Sequence, residues 1–179
     1  MTVLVQTSPT TIVIREPGPA GAQGAPGAPN ASGTSTRFQG QSWRMTDATV
    51  SGITQNVYSI VNISGFFDNS VASGIVAASG TGFGLRNNTG ATFVFQVSVA
   101  LEVSAGSQDH LGITLTKNGA VVSGTDSRAH TGNLSSEAPL NIPRHLISLN
   151  NGDEVGVAVA NFSASANIII RRGRTVASV

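Results

Sequence analysis

Between Pro17 and Pro29 glycine falls at every third position, at Gly18, Gly21, Gly24 and Gly27, with Pro, Ala and Gln in the spaces. Three polyproline-II chains can wind around one axis, and only glycine fits where they meet. The register ends at Asn30, where a glycine is due. The run is a rod of four Gly-X-Y triplets; at about 3 Å per residue it spans roughly 35 Å. So short a triple helix needs other parts of the chain to gather its three strands. A Pro/Gly linker without partners is the plainer alternative, but a linker has no need of an unbroken period. A homotrimer is therefore expected, with everything on either side of the rod present in three copies.

Ahead of the rod, residues 1–16 hold two apolar runs, Val3-Leu4-Val5 and Ile12-Val13-Ile14, separated by a polar stretch containing Pro9. Both are short and rich in β-branched residues, which favours strand over helix. Neither alternates with polar residues, so both faces want cover, and a two-stranded hairpin cannot cover itself. This segment reads as an N-terminal β anchor whose cover comes from sister chains or from another protein. The alternative is a strand of the main domain displaced to the N-terminus. Residues 17–29 are the rod. Residues 30–52 are polar and turn-rich and read as a linker or neck. Phe38 and Trp43 stand out there as aromatics that plug into the domain or the trimer axis, with sugar stacking a second possibility for Trp43.

Residues 53–179 read as one all-β head of repeated strands and turns. The expected strands are 57–63, 74–78, 92–103, 111–116, 120–123, 140–142, 145–149, 154–161 and 167–171. The clearest places Phe93, Phe95, Val97, Val99, Leu101 and Val103 on one face, and Thr92, Val94, Gln96, Ser98, Ala100 and Glu102 on the other. Period two over such a length is a strand, not a helix face. Leu111, Ile113 and Leu115, and then Val155, Val157 and Val159, repeat it. Lys117-Asn118-Gly119 predicts a hairpin, because Asn-Gly accepts the positive φ of a type I′ turn. Asn150-Asn151-Gly152-Asp153 predicts a second tight turn. Short strands of this kind close into an antiparallel sandwich or jelly roll.

Three motifs resemble the tumour-necrosis-factor-like jelly rolls, above all the globular heads of the complement collagen-like proteins. They are Gly90 followed by Phe93 and Phe95; Lys117-Asn118-Gly119; and Leu149 with Gly152-Asp153 and Val155. With a collagen-like rod in front, the resemblance implies a TNF-like jelly-roll head and a trimer. The chain departs from the pattern at its end, where Arg171-Arg172-Gly173-Arg174 leads to Val179 without an aromatic. The N-terminal organisation resembles short virion proteins of tailed bacteriophages: head fibres, capsid decoration or cement proteins, and fibre tips.

The chemistry expected of the chain is sparse. Charged residues are 11% of 179, and net charge is +1, so nothing in the balance draws it to nucleic acid or an anionic membrane. No apolar run approaches the length of a membrane span. There is no cysteine, so no disulfide is available. The N-terminus does not read as a signal peptide. Synthesis in a host cytoplasm is expected, where the sequons at Asn62, Asn133 and Asn161 carry no weight. His110, His130 and His145 show no metal-ligand spacing. Asp153 and Glu154 flank a turn, where carboxylates cap amides. Arg171, Arg172 and Arg174 read as solvated charges or as an anion or subunit contact. No catalytic residue, metal or cofactor is expected. The expectation is a non-enzymatic virion protein on the capsid surface, partnered by a capsid protein. It is anchored through Val3, Leu4, Val5, Ile12, Val13 and Ile14. The alternative is a fibre tip or adhesin that binds a host surface glycan.

Overall fold

The computed structural model describes residues 38–63, 74–77, 83–132 and 136–179. The anchor residues Val3, Leu4, Val5, Ile12, Val13 and Ile14 and the rod glycines Gly18, Gly21, Gly24 and Gly27 lie outside the described residues.

Twelve strands are described: β1 (Gln39–Arg44), β2 (Ala48–Val50), β3 (Ser59–Ile60), β4 (Ile75–Ala77), β5 (Leu85–Asn87), β6 (Phe93–Ser104), β7 (His110–Lys117), β8 (Ala120–Val121), β9 (Ser127–His130), β10 (Glu137–Leu149), β11 (Glu154–Asn161) and β12 (Ile168–Ser178). They form two antiparallel sheets. The first has five strands in the order β1-β12-β6-β10, with β2 also beside β12. The second has seven in the order β4-β5-β11-β7-β8, with β3 on β11 and β9 on β7. From β5 to β7 and from β10 to β12 the chain crosses from one sheet to the other and back, which is what a jelly-roll sandwich requires.

The core lies between the sheets. β6 contributes Phe95, Val97, Val99, Leu101 and Val103, each at most 3% exposed, as its alternation predicts. Opposite them, Leu111, Ile113, Leu115, Val155, Val157 and Val159 are fully buried. Burying each such side chain contributes about 1.5–3 kcal/mol. β7 and β11 are covered on their other face as well: Gly112, Thr114, Thr116, Gly156, Ala158 and Ala160 are all buried. The Thr114 hydroxyl there is partnered. The Thr114 and Thr125 hydroxyls lie 2.9 Å apart, and the Leu115 amide donates to Thr125 Oγ1 at 3.0 Å.

Both expected turns are present. Asn118 and Gly119 have φ of 49° and 80°, the paired positive values of a type I′ hairpin. At the second turn Gly152 carries φ of 89°, and the Asp153 amide donates to the Asn150 carbonyl at 3.0 Å.

The structure differs from the sequence expectation at the polar strands. Residues 39–44 and 48–50, read as neck, are β1 and β2, and both pair with β12. Their inward positions include Gly40, Ser42 and Ala48, which carry little hydrophobic signal. Phe38 does plug into the body, with its ring 5.0 Å from Phe93. β12 runs on through the arginines to Ser178. β10 joins two expected strands, with its register shift between Ile142 and His145, where Pro143 has no N–H to offer a ladder. The strand expected at 57–63 shrinks to Ser59–Ile60, because Asn56 takes a φ of 64° and the Val57 amide closes a turn onto Thr54.

Gly173 sits in β12 facing the core. A methyl there would lie 2.5 Å from Cζ of the fully buried Phe83 and closer still to Leu101 Cδ2. Gly173→Ala is therefore expected to destabilise the head by about 1–3 kcal/mol, read as a lower urea midpoint with an unchanged slope. An unshifted midpoint would place the residue elsewhere.

Candidate functional site

Alternation along four neighbouring strands composes the outer face of the five-stranded sheet. β6 turns Val94, Gln96, Ser98, Ala100 and Glu102 outward, because its odd-numbered positions are in the core. The register sets Trp43, Arg174, Ala100 and Asn141 in one row across β1, β12, β6 and β10. The neighbouring row is Gln41, Val176 and Ser98. Farther along, Leu146 stands opposite Gln96 and Ser148 opposite Val94. Leu146 and Val94 are 69% and 55% exposed. Among the described residues no loop covers this face, whereas the outward positions of β7 and β11 are buried. Around the Ala100 row lies a recess of about 570 Å³, whose apolar walls include Trp43, Met45, Ala100 and Pro139.

The arginine cluster resolves into separate in-chain contacts. Arg171 pairs with Asp47 and, at 3.6 Å, with Glu137. Arg172 pairs with Glu102 at 2.6 Å, and Arg174 donates to Gln41 Oε1 at 2.7 Å. Most of the charge on the outer face is thus gathered at the recess; Arg144 on β10 lies outside it. The sequence singled out Trp43 and the arginines of this site. It placed Ala100 on the outer face of its strand but missed Met45 and Pro139 beside it.

Asp153 holds the two turns together. Its carboxylate accepts from Asn118 Nδ2 at 2.8 Å and from the Asn150 amide at 2.9 Å, and it lies 3.0 Å from Lys117 Nζ. The Asn118 hydrogen bond first, then those from Lys117 and the Asn150 amide, bring its pKa from 3.8 down to about 2. A folded-state pKa below the unfolded one stabilises the fold at pH above the unfolded value, and that contribution disappears as pH falls through the folded value. Acid titration of stability is expected to show a loss between about pH 4 and pH 2 that Asp153→Asn reduces. An identical acid limb in the variant would contradict this.

One histidine stands apart from the other two. His145 lies on β10, in the five-stranded sheet. His110 on β7 and His130 on β9 are direct cross-strand partners in the other sheet, with rings stacked 4.1 Å apart at 13°. Phe162 lies 5.5 Å from His110, Tyr58 meets Phe162 edge-on at 5.8 Å, and the Arg128 guanidinium sits 4.1 Å over the Phe162 ring. Gly112 makes room for this group, because a methyl there would lie 2.7 Å from Phe162 Cε2. Asp109 points the other way, as neighbouring strand residues do, and its carboxylate accepts from Asn161 Nδ2 and the Gly106 amide, each at 2.9 Å. Among the described residues no three His, Cys, Asp or Glu side chains gather as a metal-binding group.

No protein-family profile matches the chain, and no curated protein matches it in sequence. Solved structures match it in fold. Eiger TNF from S. frugiperda superposes with a TM-score of 0.51 at 12% identity, covering 80% of this chain and 91% of that one. The head has a TNF-like jelly-roll fold. The globular domain of zebrafish complement 1qA superposes at a TM-score of 0.49 with 13% identity, covering 79% of this chain and 95% of that one. The vertex protein P5 of PRD1 does so at 0.46 with 14% identity, over 79% and 96%. In this TNF-like head the open face belongs to the sheet β1-β12-β6-β10, and the histidine pair lies on the opposite sheet.

Proposed function

We propose that the protein is a non-enzymatic structural component of a bacteriophage particle, a homotrimeric capsid decoration or head-fibre protein. The observation that carries this reading is the outer face of the five-stranded sheet, which no other described residues cover. Contiguous apolar surface on a soluble chain marks an interaction site. Here Leu146, Val94, Val176, Ala100 and Trp43 share one face with uncharged polar side chains and with the charged groups around the recess, Glu102, Arg172 and Arg174. Three copies that turn this face toward a common axis would cover it, and the glycine period in the rod asks for the same three-fold symmetry. The segment 1–16 then attaches the trimer to the capsid surface, its apolar runs adding to a sheet of the capsid protein. The protein would be made in the host cytoplasm and carried on the virion.

Deleting residues 1–16 tests attachment. The truncated protein should remain a folded trimer and be absent from purified particles. Full decoration by the truncated protein would place attachment in the head.

A host-glycan-binding fibre tip is the second reading. Trp43 in the wall of an open recess favours it, since an aromatic face suits sugar stacking. The two readings compete for one surface, because trimer contacts would cover the recess. A glycan array with the full-length chain separates them: binding that Trp43→Ala removes would support the second.

A further inference from the structure

We propose that His110 and His130 form a two-imidazole site for a late first-row divalent cation of the zinc and nickel class. The pair lies on the sheet opposite the proposed trimer face. Imidazole suits these ions, and their sites are read from ligand type and geometry. The two residues are direct partners across β7 and β9, so both rings rise from the same face of the sheet. Two nitrogens bound to one tetrahedral zinc lie about 3.3 Å apart, given bonds of about 2.0–2.1 Å. The rings are stacked with centroids 4.1 Å apart, and with such bonds two imidazoles on one tetrahedral ion have centroids about 5 Å apart, so turning the exposed His130 ring out of the stack and opening the pair by about 1 Å points both nitrogens at one ion. Water fills the remaining positions.

The site is held from behind. The His110 amide donates to Ser163 Oγ at 2.8 Å, and its carbonyl accepts from the Phe162 amide at 2.7 Å. Both bonds fix the strand beneath the ring. A metal ligand must be neutral imidazole. The charged groups around the pair are Arg128 on β9 and Asp126 just before it. Their side chains pair at 3.3 Å, which offsets the guanidinium that would otherwise repel a cation. Phe162 and Tyr58 wall the site and add no competing ligand with a negative charge.

Calorimetric titration of the full-length chain with zinc chloride tests this, with nickel broadening of imidazole proton resonances as a second readout. The expected result at about pH 7.5 is one zinc per chain, with broadening of two of the three histidines. His130→Ala and His110→Ala should each abolish the heat, and His145→Ala should leave it unchanged. Should His110→Ala fail to fold, the exposed His130 decides alone. No heat with the wild-type chain, heat retained in His130→Ala, or heat lost in His145→Ala would each overturn the site.

Discussion

Val97→Asp is expected to leave no folded head. Val97 is fully buried in the middle of β6, between strands of its own sheet and facing Leu and Val side chains of the other. An unpaired carboxylate there either stays charged in an apolar medium or takes up a proton, and both cost several kcal/mol. Domains of this size are stable by about 5–15 kcal/mol in total, so one such substitution removes much or all of it. The neighbouring Ser98 points to the outer face. Ser98→Asp should retain the β-sheet circular dichroism and act, if at all, on association. Equal loss of structure in the two variants would mean that the faces of β6 are reversed.

Ala100→Arg is expected to give a folded monomer. Ala100 is exposed on the outer face, in one row with Trp43, Arg174 and Asn141. In the isolated head an added guanidinium meets solvent, and surface changes of that kind stay within about 0.5 kcal/mol. In the proposed trimer the same group would be buried beside Arg174, where the nearby Glu102 is already paired with Arg172. An uncompensated buried charge costs about 3–5 kcal/mol, and each 1.4 kcal/mol is about tenfold in affinity, so association should weaken by about a hundredfold to several-thousandfold. Val121→Arg is the matched control: Val121 is 53% exposed, but lies on β8 at the edge of the other sheet. It should leave the oligomer intact. A trimer that survives Ala100→Arg but not Val121→Arg would put the contact on the wrong sheet.

What could be read from the sequence follows from where side chains carry hydrophobic signal. β6, β7 and β11 alternate strongly because they supply the core, and Asn118-Gly119 announces its hairpin because few other residues accept paired positive φ. β1 was hidden because Gly40 and Ser42 take inward positions beside an already full core. β12 was hidden past Ile170 because Gly173, Thr175 and Ala177 face inward while Arg172 and Arg174 face out. Its pattern is period two, but between small and charged residues rather than apolar and polar ones. The open face was half legible, since the outward residues of β6 were named but their neighbours depend on sheet order. The histidine pair was not legible. His110 and His130 meet only because β9 folds back on β7, and no sequence spacing encodes that contact.

Sedimentation equilibrium of the full-length chain at micromolar concentration tests the central claim most directly. The account predicts a single species of three times the 18.2 kDa chain mass, unchanged on dilution across the micromolar range. A species at 18.2 kDa would contradict it, because the glycine period of the rod and the open face of the five-stranded sheet would then both lack the partners they require.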